Sequence, residues 1–213
     1  MFDSFIQRLI LELQKELPGI KAQSEMAPKY RNTDDYKTYP ESARKGGVLM
    51  LLYPKNQSVF TLVIRRAVNG GSHSGQIAFP GGKFDEQDET LIRTALRETH
   101  EEIGIKPEDV TIIGHLSNIY IPPSNFAVLP VIGVLNSEPS IIINNDEVQH
   151  IIEIDLNDLA DSENKQFREI VVNDVRVITP FYSVSGQHIW GATAMIVSEF
   201  LEIIKKTDFF VHD

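Results

Sequence analysis

The stretch from Gly81 to Ile105, GGKFDEQDETLIRTALRETHEEIGI, decides the fold. Its apolar residues recur at helical spacing, and Gly104 stands where a helix takes its left-handed closing residue. A helix over 89–103 is therefore predicted. At about 100° per residue, Glu98, Glu101 and Glu102 fall at i, i+3 and i+4 and share one face. Ile92, Leu96, Thr99 and Ile103 line an adjacent arc suited to a sheet. Like charges at this spacing oppose an isolated helix by about a few tenths of a kcal/mol. Three convergent carboxylates therefore call for a compensating cation. Hard divalent ions such as Mg²⁺ prefer carboxylate oxygens, waters and phosphates. Alone, an E-x-x-E-E run describes an ordinary solvated face. The glycine turn Gly81-Gly82-Lys83 before the helix and the stop at Gly104 set this one apart. Arg97 is placed to pair with a neighbouring carboxylate or to hold the loop.

The flanking sequence mixes helix and strand signals. Phe2, Ile6, Leu9, Ile10, Leu13 and Leu17 predict a helix over 2–17, stopped by Pro18-Gly19. Residues 21–45 are polar, include Pro28 and Pro40, and read as a long connection wrapping the domain. Residues 47–53 and 59–64 are dense in Val, Leu, Ile, Phe and Tyr around Pro54-Lys55-Asn56-Gln57, a hairpin signature. Strands are expected over 110–116, 127–135, 140–143, 148–155 and 171–178, and a second amphipathic helix over 192–205. Without a regular βαβ alternation, the pattern points to an α+β fold with a mixed sheet.

Composition narrows the function. The 213 residues hold 20 Lys and Arg against 30 Asp and Glu, a net charge of −10, with no Cys and one Trp. A chain of this length buries a full core unaided. The lack of Cys excludes a disulfide framework and thiolate-ligated zinc or iron–sulfur sites. The acidity argues against a general nucleic-acid or anionic-membrane binder. It leaves room for an anionic substrate, because a bound divalent cation reverses the local sign. No apolar stretch reaches the ~18–20 residues of a spanning helix. Met1-Phe2-Asp3-Ser4 lacks the basic region of a secretory signal, and Phe210-Val211-His212-Asp213 is not a peroxisomal address. A soluble, cytoplasmic protein is expected.

Residues 81–105 resemble the signature of the Nudix hydrolases, G-x5-E-x7-R-E-U-x-E-E-x-G-U with U apolar. Gly82, Arg97, Glu98, Glu101, Glu102, Gly104 and Ile105 match in order. The turn holds one extra residue. Asp88 keeps the first interval and Glu89 the second, so the acid of the first half stays open between them, and Thr99 occupies an apolar position. Residues 62–82 are similar to an additional motif of the coenzyme A pyrophosphatase subfamily, roughly L-L-T-x-R-S-x3-R-x3-G-x3-F-P-G-G. Arg66, Gly75, Phe79, Pro80, Gly81 and Gly82 match it, whereas Ile64, Ala67 and Gly71 replace Thr, Ser and Arg. The longer turn before Arg97 is shared with that subfamily. Fainter echoes are Leu17-Pro18-Gly19, Asp146-Glu147-Val148 and Ile189-Trp190-Gly191.

The resemblance implies a Nudix-like α/β/α sandwich with a mixed β-sheet, an N-terminal helix and a C-terminal helix. It implies one domain over 1–213, with a helix and wrapping arm over 1–45 and a catalytic core over 46–205. The implied reaction is metal-dependent hydrolysis of the pyrophosphate of coenzyme A or acyl-CoA to 3′,5′-ADP and 4′-phosphopantetheine or its acyl derivative. Mg²⁺ or Mn²⁺ would be held by Glu98, Glu101 and Glu102. Catalysis falls to these three and Glu147, with Glu101 or Glu147 as general base. Arg66 is the preferred phosphate contact, since guanidinium offers a fork matching phosphate oxygens. His73, Gly75, Phe79, Gly81 and Gly82 complete the substrate-binding set. Plainer readings stand beside these: Phe79 to Gly82 as a strand end and turn, His73 as a solvated loop residue, Glu147 as a surface acid, and Trp190-Gly191 as core and helix cap. The expected partner is a small nucleotide, with no nucleic acid and no membrane, and a homodimer is left open. Two rivals remain. One is a pyrophosphatase for another nucleoside diphosphate such as ADP-ribose; the other is a non-catalytic nucleotide-binding module, which typically lacks the acids present here.

Overall fold

The computed structural model describes residues 2–28, 39–68, 74–172, 175–207 and 209. Helix α1 (Phe2–Leu13) buries Phe5, Ile6 and Leu9. It ends at Leu13, a turn earlier than the apolar spacing predicts. The first described part of the expected arm is itself helical, and its last two residues, Arg44 and Lys45, already belong to the first strand. The single turn α2 (Ile20–Gln23) runs into a 3₁₀ turn, Ser24–Met26. Both lie on the last helix. Ser198 Oγ donates to Ala22 O at 2.8 Å, and buried Glu199 accepts from Gln23 Nε2 at 2.8 Å and Gly19 N at 3.0 Å.

Strands β1 (Arg44–Lys55) and β2 (Ser58–Arg66) form the expected hairpin. Its turn is Asn56-Gln57, with φ of 52° and 63°. Two positive-φ residues give the twist that a two-residue hairpin turn needs, so Pro54 stays in β1 opposite Val59. Then follow β3 (Ile77–Ala78), β4 (Gly81–Lys83), α3 (Leu91–Ile103), β5 (Thr111–His115), β6 (Ile119–Ile121), β7 (Phe126–Val134) and β8 (Val148–Asp155). Helix α4 (Leu156–Ala160), β9 (Lys165–Val172), β10 (Val175–Val184), β11 (Gln187–Trp190) and α5 (Gly191–Ile204) complete the chain.

The main sheet runs β3-β2-β1-β7-β5, with β4 on β1, β6 on β7 and β8 on β2. Among the described residues only β1 and β7 pair in parallel, so the sheet is mixed, as expected. Alternation along β1 separates two apolar layers. Leu49, Leu51 and Tyr53 join Leu62, Ala95 and Ile103 on the α3 side. Met50 and Leu52 join Leu9, Val63, Phe200 and Ile204 on the α1 and α5 side. Burying each such side chain contributes about 1.5–3 kcal/mol. The result is the predicted α/β/α sandwich of mixed sheet and flanking helices.

Two strand expectations are corrected. Residues 140–143 form no strand; Ile142 N donates to Ile103 O and Asn144 N to Glu102 O, each at 3.0 Å. This segment satisfies carbonyls left open at the end of α3, and Ile141 and Ile143 pack on the α3-side core. Residues 171–178 span a hairpin, β9 to β10, rather than one strand; residues 173–174 of that span lie outside the described residues. With β11 these strands make a second, antiparallel sheet. Among the described residues no helix is long and apolar enough to cross a membrane.

Candidate active site

Helix α3 begins two residues later than predicted. Thr90 is its N-cap, with Oγ1 accepting from Arg93 N at 3.2 Å, and Gly104 closes it at φ 74° as expected. Glu89, at φ 63°, ends a 3₁₀ turn over Glu86–Asp88. Asp85 and Asp88 lock that turn as a reciprocal capping box. The extra residue of the turn is absorbed there.

This choice settles which acid faces the helix. Asp88 is 4% exposed and accepts from Arg97 Nε at 2.7 Å, Arg97 Nη2 at 2.9 Å and Thr94 Oγ1 at 2.9 Å. The guanidinium bonds hold its carboxyl far below the usual carboxylate range. Glu89 instead lies at the surface beside Arg93. Clamped from behind, Arg97 directs Nη1 to Glu98 Oε1 and Glu101 Oε2, both at 2.9 Å, and Nη2 to Lys83 O at 3.2 Å. Thr99, the polar residue at an apolar position, is buried and satisfied by Ala95 O at 2.7 Å.

The glycine turn brings backbone against carboxylate. Gly81, at φ 146°, donates its N–H to Glu102 Oε2 at 2.9 Å. A Cβ on Gly82 would fall 2.4 Å from Glu98 Oε2, so only glycine admits that side chain in this position. Glu102 is fully buried, with Arg66 Nη1 3.0 Å from Oε1. Burial pushes its carboxyl up to about 7; Arg66 and the Gly81 N–H oppose the shift, and Glu98 and Glu147 add to it. Burial also raises Glu98, against the pull of Arg97 and with help from Glu101 and Glu147. Glu147 is thus within electrostatic reach of both acids, and its carbonyl accepts from Ala67 N at 2.8 Å, beside the end of β2.

The structure therefore gathers Glu98, Glu102, Arg66, Gly81 and Gly82 at one place, with Glu101 half-exposed at the rim. Arg66 already bonds a carboxylate here rather than standing free for a phosphate. The Phe79 side chain is 1% exposed in the core, so only its backbone is available to the site. Gly75 lies elsewhere, its carbonyl bound to Arg65. His73 falls outside the described residues. Trp190 is not core: it is 37% exposed at the start of α5. Asp88 and its hold on Arg97 were not resolved by the sequence; the signal was present in the spacing, but two registers fitted it.

Five carboxylates, Asp88, Glu98, Glu101, Glu102 and Glu147, face two guanidiniums, Arg66 and Arg97. Among the described residues no three His, Asp or Glu converge as a finished metal cage. The donor set nevertheless fits a hard divalent cation: all oxygen, short of positive charge, and partly desolvated. Such ions commonly take one or two carboxylates and complete their shell with water and substrate phosphate.

Residues 43–175 match the NUDIX domain family. Over 150 residues the chain is 37% identical to a Pectobacterium atrosepticum protein named uncharacterized Nudix hydrolase NudL, an alignment covering 65% of this chain and 71% of the relative. It is 31% identical over 168 residues to Nudix hydrolase 3 of Caenorhabditis elegans, covering 71% and 69%. The crystal structure of a NUDIX hydrolase from Alicyclobacillus acidocaldarius aligns with 56% of this chain and 82% of its own, at 20% identity and a TM-score of 0.48.

Proposed function

The chain belongs to the NUDIX domain family and is a Nudix hydrolase, and on that premise we propose that it cleaves the pyrophosphate of coenzyme A or acyl-CoA. The products are 3′,5′-ADP and 4′-phosphopantetheine or its acyl derivative, and residues 1–213 act as one domain. The observation that carries the hydrolytic site is the acidic stripe Glu98, Glu101 and Glu102, with more carboxylates than the two guanidiniums beside it can balance, and with Glu98 and Glu102 against the Gly81-Gly82 turn. The preference for coenzyme A rests on the resemblance of residues 62–82, Arg66 and Gly75 to Gly82 above all.

Glu98 and Glu102 would hold Mg²⁺ or Mn²⁺, assisted by Glu101. When bound, such an ion screens the diphosphate, stabilises charge on the leaving oxygen and lowers the pKa of water. The remaining work belongs to the chain. Asp88 fixes Arg97, and Arg97 orients Glu98 and Glu101. The Gly81 N–H and Arg66 keep Glu102 aimed at the turn. Arg66, which bonds Glu102 here, is the guanidinium that would contact a phosphate oxygen of the substrate. The proton of the attacking water goes to Glu101 or Glu147.

Mass spectrometry after incubation with coenzyme A and Mg²⁺ tests the reading. Equimolar 3′,5′-ADP and 4′-phosphopantetheine are expected, and kcat/KM should exceed that for ADP-ribose or NADH. A preference for a substrate without the 3′-phosphate would defeat the coenzyme A assignment.

A further inference from the structure

Away from the acids, a cleft of about 330 Å³ lies between the end of β2, strand β3 and the β9–β11 sheet. That volume is at the lower end of small-molecule sites. Arg65, Arg168, His188 and Trp190 line it, and no Asp or Glu is among its described lining residues. The chain carries a net charge of −10, so this basic lining runs against its overall sign. Arg65 is held in place by Gln187 Oε1 at 2.5 Å and Gly75 O at 3.1 Å. The Arg168 guanidinium lies 5.3 Å from the Trp190 ring and 5.6 Å from Phe181. Its Nη1 is 3.5 Å from His188 Nδ1, and its buried Nε has no hydrogen-bond partner. The cleft thus brings a forked cation beside a partly exposed indole.

We infer that this cleft is a second subsite of the enzyme, built for a nucleoside whose planar base stacks on Trp190 and whose phosphate monoester, remote from the scissile bond, binds Arg65 and Arg168. Base stacking on aromatic and guanidinium faces and the match of guanidinium to phosphate are the recognition chemistry. Chain connectivity ties the cleft to the hydrolytic site. Ile77 lines the cleft, and Gly81, four residues on, holds Glu102, so the two positions are within about 14 Å. Arg65 and Arg66 are consecutive on β2 and reach different partners, Arg65 to Gly75 O and Gln187, Arg66 to Gly81 O and Glu102. Among the described residues β3 pairs with β2, so both positions lie at the same end of β2. The inference rests on the pyrophosphatase reading and adds to it the place where a phosphate on the nucleoside is held.

Trp190 is the only tryptophan, so its fluorescence reports on the cleft. The full chain in metal-free buffer is titrated with adenosine 3′,5′-bisphosphate, 5′-AMP, adenosine and inorganic phosphate. Saturable quenching by the bisphosphate is expected, with 5′-AMP at least tenfold weaker and the other two weaker still. Arg168→Gln should weaken the bisphosphate at least tenfold, and Arg168→Lys should recover part of the loss. In turnover, Arg168→Gln should raise KM for coenzyme A about tenfold with kcat within twofold, a KM increase at least threefold larger than that for ADP-ribose. Equal quenching by 5′-AMP and the bisphosphate, or an unchanged KM in Arg168→Gln, overturns the subsite. Normal coenzyme A hydrolysis with a flat titration removes the subsite and spares the reaction. Selective quenching in a chain that hydrolyses no diphosphate removes the reaction and spares the subsite.

Discussion

Glu102→Gln separates the stabilising and functional demands on the acidic stripe. Burial raises the Glu102 carboxyl from 4.5 to about 7, and in the ionised form that is destabilising by about 3 kcal/mol. The sign follows from the order of the two values. Below about pH 4 the folded and unfolded chains both keep the proton, and the penalty is absent. It develops as pH rises from about 4.5, where the unfolded chain ionises, to about 7, and is complete above. Glutamine removes this penalty and keeps one oxygen for the Gly81 N–H. It loses the bond from Arg66, worth about 1–2 kcal/mol, although the partly exposed guanidinium remains solvated. The metal-free variant should therefore be more stable than wild type by about 1–2 kcal/mol at pH 8 and equal or slightly weaker at pH 5. Urea melts at both values, with chelator present, measure the difference. Adding Mn²⁺ at pH 8 should stabilise wild type more than the variant and narrow or reverse the gap, while turnover in the variant falls at least a hundredfold. A variant destabilised by 1 kcal/mol or more at pH 8, or a difference that does not change with pH, refutes the reasoning.

Other perturbations separate the remaining parts. Glu98→Gln should abolish nearly all turnover with Mg²⁺ and keep the wild-type circular dichroism; a near-normal rate would remove Glu98 from the metal set. Gly82→Ala presses on the end of the Glu98 side chain rather than on backbone. The carboxylate should move by about an ångström, with activity falling by about tenfold to a hundredfold and the melting temperature within a few degrees of wild type. Asp88→Asn leaves Arg97 without its buried partner and should cost about 2–3 kcal/mol in melts at pH 7, given the partial exposure of Arg97. Asp88 titrates lower folded than unfolded, so its contribution is present above about pH 4 and lost on further acidification. The variant's stability deficit should accordingly shrink below that pH. Glu101→Gln and Glu147→Gln divide the general-base assignment: the true base variant loses the acid limb of the kcat/KM profile, and the other keeps it.

The parts of the fold legible in the sequence were those set by local periodicity and capping. The acidic helix, its Gly104 stop and the β1–β2 hairpin all follow from spacings within a few residues. Misreadings came where tertiary contacts redirected a local signal. Ile141 and Ile143 look like a strand, but they pack on the α3-side core while the backbone between them caps α3. The apolar run 171–178 hid a hairpin whose register depends on pairing with residues 165–172. The candidate site divides similarly. The helix face placed Glu98, Glu101 and Glu102 together, whereas the choice of Asp88 over Glu89 needed the capping box and Thr94. Arg168 and His188 carried no local signal, because their meeting depends on the pairing of β9, β10 and β11. Trp190 read as core because a lone tryptophan before a helix usually is; the cation beside it was out of sight.

The whole account turns on where a divalent ion goes, and anomalous scattering from Mn²⁺-soaked crystals locates it directly. A peak within bonding distance of Glu98 and Glu102 oxygens, beside the Gly81-Gly82 turn and with Arg66 drawn away from Glu102, is the expected result. Manganese bound elsewhere, with Arg66 and Arg97 still closed on the three acids in an enzyme that turns over, would contradict it.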